Sequence, residues 1–268
     1  MINYLKIEFL KVRSYKTVWI LVGLFIIGFV LGASFLESML NKSVSPNPSS
    51  SLFSPPQFTL YAFPAIWHNL FFIAGFIKIF PGFLLIMLVT NEFTHKTLKQ
   101  SVINGMSKIQ IVNSKVIMAL STAFFTTLLI FLTIFANGII HNKGALSWEL
   151  ITEKMFFAPA YFLELTTYLM VCLLFAMVIK KPIVAILSML LYSLIAEPII
   201  AFKVGEPFNR FFPLKAAINL IQIPKNSLMQ IFGHEFQEFV KGEDILICIA
   251  YCLLIYVALL VITVKSDL

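Results

Sequence analysis

Charge is scarce in this chain. Asp, Glu, Lys and Arg make up 12% of its 268 residues while 59% are hydrophobic, against about 25% and roughly 45–50% in a soluble domain. So few charges exclude an ordinary water-facing globule and imply lipid as solvent. Glycine is sparse too, at 11 residues, and no G-x-x-x-x-G-K-[S/T] stretch occurs, so the chain has no phosphate-cradling loop of that form with which to hydrolyse ATP. Cysteine is nearly missing: Cys172, Cys248 and Cys252 all lie in hydrophobic runs. The last two share a helical face, yet no His or acidic cluster stands beside them at metal spacing. They read as small lipid-compatible residues, with neither disulfide nor metal assigned. The histidines, His68, His95, His141 and His234, are scattered over loops and run ends and form no catalytic or metal constellation. An intramembrane enzyme, which needs several His, Asp, Ser or Glu side chains at one depth, is disfavoured on the same ground.

What the chain does have is long apolar runs. Six of them approach the about 20 residues that a transmembrane helix requires, over residues 17–36, 67–90, 115–140, 155–179, 183–202 and 245–264. The expected fold class is therefore an all-α integral membrane protein, a single transmembrane domain over residues 1–268 with six spans. The first run exceeds the roughly 7–15 residues of a signal-peptide core, so it reads as an uncleaved anchor. Before it, Leu5, Phe9 and Val12 recur at helical spacing among Lys6, Lys11, Arg13 and Lys16, the pattern of an amphipathic interfacial helix. A Ser/Pro/Asn-rich stretch, 42–56, reads as a loop, and the aromatics Phe58, Tyr61, Phe63 and Trp67 that follow suit a membrane–water interface. The Lys180–Lys181–Pro182 sequence marks a tight turn.

The formal charge of +7 does not point to nucleic acid, because the basic residues sit at the ends of apolar runs, where they meet anionic lipid headgroups. With the N-terminus inside, the inner segments hold the four N-terminal cations, Lys96, Lys99, Lys108, Lys115, Lys180, Lys181 and Lys265. The short outer loops hold only Lys42, Lys143 and Lys154, and the cations of the segment between the fifth and sixth runs are offset by Glu and Asp. The positive-inside rule then predicts both termini in the cytoplasm.

Three ionisable groups fall within the runs: Lys78, Glu164 and Glu197. Each costs roughly 2.5–3.5 kcal/mol on insertion scales, so each demands a reason. At 1.5 Å per residue the depths of Lys78 and Glu164 differ by about 4–5 Å, close enough for an ion pair. Such a pair serves either the cohesion of the bundle or a substrate path. Glu197, beside Pro198 near the outer end of its run, is expected to reach headgroups or water.

Residues 91–115 are too long and too patterned for a minimal turn. They fit helix, bend and helix: Leu98, Val102 and Ile103 share a face of a helix starting near Thr94, Asn104-Gly105 stops it, and Met106-Ser107 starts the next. Here the chain resembles the membrane subunits of type-2 ATP-binding-cassette exporters. In that family a Glu at the end of the second span is followed by a Thr, a small turn with Ser and a basic residue, and a Lys entering the third span. Glu92, Thr97, Gly105, Ser107, Lys108 and Lys115 match that order, with Lys96 where a Gly is frequent and Lys108 where Arg is commoner.

The resemblance extends to the amphipathic N-terminal helix, the six spans and the segment before the last span. It implies a coupling helix between spans 2 and 3 that receives a separate ABC ATPase subunit, and short extracellular re-entrant helices over residues 208–223. It also implies a second permease copy or paralogue, a multi-pass location in the bacterial inner (cytoplasmic) membrane, and export of a hydrophobic or amphipathic substrate such as a drug, an antimicrobial peptide or a lipid. No cofactor is expected in the chain itself, since ATP and Mg would be bound by the partner ATPase. The competing reading is a non-transporting membrane scaffold or sensor whose segment 91–115 binds some other partner.

Overall fold

A computed structural model describes residues 60–141, 147–224 and 239–265, together with positions 20, 23–25 and 27–29. The expected amphipathic helix 2–16, most of the first run 17–36, the loop 42–56 with Phe58, the segment 225–238 with His234, and the extreme C-terminus lie outside the described residues.

Among the described residues the chain is helical throughout, with no strand. In order it forms α1 (Ala65–Ile77), α2 (Ile79–Thr94), α3 (Thr97–Ile103), α4 (Lys108–His141), α5 (Trp148–Thr152), α6 (Phe157–Ile179), α7 (Pro182–Leu191), α8 (Glu197–Val204), α9 (Pro213–Asn219) and α10 (Gly242–Lys265). A π turn, Tyr192–Ala196, joins α7 to α8, and a 3-10 turn, Phe208–Phe211, precedes α9. Four stretches are long and apolar enough to cross a membrane: Lys108–His141, Trp148–Ile179, Pro182–Val204 and Gly242–Lys265. The pair α1 and α2, bent by 41° at Lys78, makes a fifth if it is one span. The bend has a covalent cause. Pro81 has no N–H to give the carbonyl of Ile77, and its ring crowds the preceding turn, so the helix breaks there. The helix that carries the expected third run, α4, starts at Lys108, as the Met106-Ser107 start implied, and continues unbroken for 34 residues.

The helix α6 occupies the centre. It packs against α2, α4, α7, α9 and α10, and 15 of its 23 residues are buried. A helix buried on all sides cannot show an apolar stripe, and inside lipid close approach comes from small residues such as Ala160, Thr167, Cys172 and Ala176 rather than from amphipathicity. By contrast, α10 buries Asp244, Cys248, Ile255, Leu259 and Thr263, one face at helical spacing. Its other face exposes Leu246, Leu253, Leu254 and Val257, as a lipid-facing surface requires.

Aromatic packing closes one end of the bundle. Trp67 stacks on Phe131 at 4.9 Å and its indole N–H donates to the Ile151 carbonyl at 2.7 Å. Phe71 stacks on Tyr161, and His68 on Phe157. Tyr61 and Trp67, of the aromatic cluster expected at the membrane–water interface, are buried against neighbouring helices. The tight turn at Lys180 forms as expected: Lys180 is left-handed at φ 59°, and Pro182 opens α7 where no N–H is required.

Candidate functional site

Residues 91–115 form a compact polar element at one end of the bundle. At its entry α2 ends at Thr94, His95 and Lys96 turn the chain, and α3 begins three residues later than expected, at Thr97. The Thr97 hydroxyl donates to the carbonyl of Glu92 at 3.3 Å, which ties α3 back onto the helix before it. At its exit Gly105, with φ +91°, takes the backbone conformation that side chains disfavour, so the Asn104-Gly105 stop falls where the sequence put it. Ser107 then caps α4: its hydroxyl accepts from the Gln110 N–H at 3.3 Å, and the Gln110 side chain accepts from the Ser107 N–H at 2.9 Å. This is the reciprocal capping box. The Ser-x-x-Gln spacing was visible in the sequence but unused.

Two turns into α4, Lys115 points back to α2 and meets Glu92 at 2.6 Å, with both side chains buried. Of the six residues matched to the exporter motif, then, Glu92, Thr97 and Lys115 converge, Gly105 shapes the turn and Ser107 caps a helix. Lys108 behaves differently. Its ammonium donates to the carbonyl of Val264 near the end of α10, at 3.0 Å.

The face of α3 differs from expectation in one respect. Leu98 is buried against the bundle and Val102 is partly covered, but Ile103 is 82% exposed. A seven-residue helix lying across the end of a bundle can seat only one edge, and Ile103, at its last position, falls beyond that edge. Lys99 and Gln100 are exposed beside it.

Within the apolar bundle, Lys78 and Glu164 meet at 2.6 Å, so the pair that their depths allowed is present. The Lys78 side chain leaves the backbone at the α1–α2 break, and its ammonium also lies 5.5 Å over the Tyr168 ring, one turn along α6 from Glu164. Close approach of the two helices depends on Gly82, where a Cβ would come within 2.7 Å of Tyr168 Cε1 and 3.0 Å of Cys172 Sγ.

Glu197 was expected to reach headgroups or water but is 2% exposed. Its Oε1 accepts the Lys215 N–H at 2.7 Å, so the side chain turns inward to supply an acceptor for one of the backbone N–H groups left unpaired in the first turn of α9. Arg210, in the 3-10 turn, bonds Glu243 and lies 3.4 Å from Asp244 at the start of α10. The Glu243 carboxylate holds the guanidinium proton even more firmly than usual. Sequence reasoning missed this contact because Arg210 and Glu243 are 33 residues apart with only composition between them. Among the described residues no three His, Cys, Asp or Glu side chains gather as a metal site, and the three cysteines are free.

Comparison with known proteins agrees with this architecture. No curated protein matches the chain. The sequence model of the ABC-2 family transporter proteins, however, matches residues 4–196, well over half of the 268, and covers the motif-bearing element, the Lys78–Glu164 pair and the π turn while leaving α8 to α10 beyond its end. The chain therefore belongs to the ABC-2 transporter family, as a multi-pass membrane permease.

Proposed function

We propose that this permease is the membrane subunit of an exporter driven by a separate ABC ATPase subunit, which docks on the α3 element from the cytoplasm. One observation carries the reading. An apolar side chain, Ile103, stands 82% exposed at the tip of a short helix that the Glu92–Lys115 pair and the Thr97 bond fix in place. Exposed apolar residues on a rigid polar mount are the anchors that partner grooves take up. ATP and Mg belong to the partner in this reading, because the chain has no phosphate-cradling loop. Both termini lie in the cytoplasm and the spans number six, the first of them over 17–36. The Phe208–Asn219 turns form the re-entrant element on the outer side.

Two copies, or one copy and a paralogue, surround the path in the bacterial inner membrane. The substrate is hydrophobic or amphipathic, such as a drug, an antimicrobial peptide or a lipid, as the exporter resemblance implies. Movement of α3 would tilt the attached spans as rigid bodies, which is how alternating access is commonly achieved. The test is affinity purification of the full chain from its native membrane, with identification of partners and an ATPase assay. A stoichiometric ATPase that is lost on Ile103→Asp establishes the reading. A chain that retains a different cytoplasmic partner and no ATPase, in a preparation that preserves other complexes, would replace it with a scaffold or sensor.

A further inference from the structure

The last helix, α10, is fastened at both ends and greasy in between. Its 24 residues span about 36 Å at 1.5 Å per residue, the thickness of a bilayer core with some margin. At the C-terminal end, Lys108 donates to the Val264 carbonyl at 3.0 Å. The last four carbonyls of a helix have no partner within it, and an ammonium placed there also complements the helix dipole. Two turns back, the Tyr256 hydroxyl donates to Asn113 Oδ1 at 2.8 Å. Both partners belong to the first turns of α4, directly after the α3 element.

At the N-terminal end, Arg210 bonds Glu243 and approaches Asp244, and the Tyr251 hydroxyl donates to the Phe211 carbonyl. Phe208–Phe211 leads straight into α9, whose first turn is held by Glu197 through the Lys215 N–H. Between these ends the buried face of α10 is Cys248, Ile255 and Leu259. The Thr167 hydroxyl makes weak contacts there with Cys252, 3.6 Å away, and with Cys248. Packed apolar helices shear past one another in small steps, whereas charge-assisted bonds hold their partners in register.

We infer that α10 is a strut that joins the α3–α4 element at one end of the bundle to the α9 segment at the other, with Lys108 and Arg210 as the positioning residues at its two ends. A displacement of α3 and the first turns of α4 reaches α9 through α10, alongside the central α6 that packs against all three of α4, α9 and α10. That α3 is driven by an ATPase rests on the function proposed above; the mechanical link does not.

The experiment is hydrogen–deuterium exchange with mass spectrometry on the full chain in lipid nanodiscs, without nucleotide or substrate. Lys108→Met and Tyr256→Phe should each speed exchange in Pro213–Asn219, at the far end, by about threefold or more, the size that loss of a modest coupling free energy gives. Lys108→Arg, which can still donate to the Val264 carbonyl, should leave it unchanged, as should Leu254→Ala on the lipid face of the same helix. Coupling is reciprocal, so Arg210→Gln should speed exchange in Thr97–Ile103. Unchanged protection of Phe157–Ile179 shows that each variant is folded. If Lys108→Met fails that check, Tyr256→Phe, which removes a single hydroxyl, carries the test. Changes confined to the mutated end, or transmitted in one direction only, overturn the strut. A strut that holds in a chain which captures no ATPase would leave this inference standing and remove only the exporter reading.

Discussion

Lys78 and Lys115 each meet a glutamate at 2.6 Å with both partners buried, and the two pairs differ in where they sit. Lys78 and Glu164 sit between a broken helix and the most enclosed helix of the bundle, with the Tyr168 ring beside them and Gly82 one turn on. Glu92 and Lys115 are as deeply buried but sit at the end of the bundle, one helical turn from the polar residues of the α2–α3 turn. The desolvation cost of the first pair is offset by the partner and by the Tyr168 ring, whereas the second pair lies beside the helix termini that lead into α3. The same chemistry should therefore hold the fold together in one place and position a moving part in the other.

The largest effect should come from breaking the enclosed pair on one side. Glu164→Leu leaves Lys78 charged in an apolar interior, a change that costs about 3–5 kcal/mol in buried pairs. Thermal unfolding in detergent should show a large fall in midpoint, or loss of folded protein. Adding Lys78→Met should recover most of it, because apolar replacement of a whole buried pair is often neutral or stabilising. Tolerance of Glu164→Leu alone would mean that water reaches Lys78, and the contrast between the two pairs would vanish. Recovery of stability without recovery of transport would assign the pair to the substrate path rather than to cohesion.

Next in size is Gly82→Ala, which tests whether close helix approach encloses the first pair. Its new methyl would meet Tyr168 at 2.7 Å and Cys172 at 3.0 Å, and overpacking of this kind costs about 1–3 kcal/mol. The penalty should shrink when Tyr168→Leu is combined with it, as a double-mutant cycle would show. Additive penalties would place the strain elsewhere.

At the other pair, Glu92→Gln keeps an acceptor for Lys115 but removes the countercharge of a buried ammonium, and should lower stability by about 1.5 kcal/mol. If this pair positions α3, the ATPase activity stimulated through the chain should fall far more than the thermal midpoint. Equal losses in both would make the two pairs alike.

The legibility of these features in the sequence followed their range. Run lengths located α6, the α7–α8 stretch and α10 within a few residues and the end of α4 as closely, because about 20 apolar residues leave little else to build. Local signals also held: Gly105 stopped α3, and Lys180 with Pro182 made the turn into α7. Lys78 and Glu164 could be matched because depth along a helix is a one-dimensional quantity. What stayed hidden was direction around the helix axis. Glu197 was expected to reach headgroups or water and is buried against α9, and Ile103, read as sharing a face with Leu98 and Val102, is exposed while Leu98 is buried. Rotation about the axis is set by packing partners distant in sequence, and in lipid no polar face marks it. The Arg210–Glu243 and Lys108–Val264 contacts were invisible for the same reason.

The smallest expected effect lies on the surface that neither pair touches. Leu254 is 63% exposed on α10, on the side away from Cys248 and Leu259. In a membrane that side chain meets lipid tails before and after truncation, so Leu254→Ala loses little packing and no desolvation gain; the cost should stay within about 0.5 kcal/mol, as for other substitutions that leave no cavity. Thermal midpoints of the two proteins in matched nanodiscs measure it. A cost of about 2 kcal/mol or more is the signature of a cavity opened between packed side chains. It would mean that protein, not lipid, covers this face, and a second copy of the chain, already expected beside the first, would be the occupant to seek by cross-linking through Leu253→Cys.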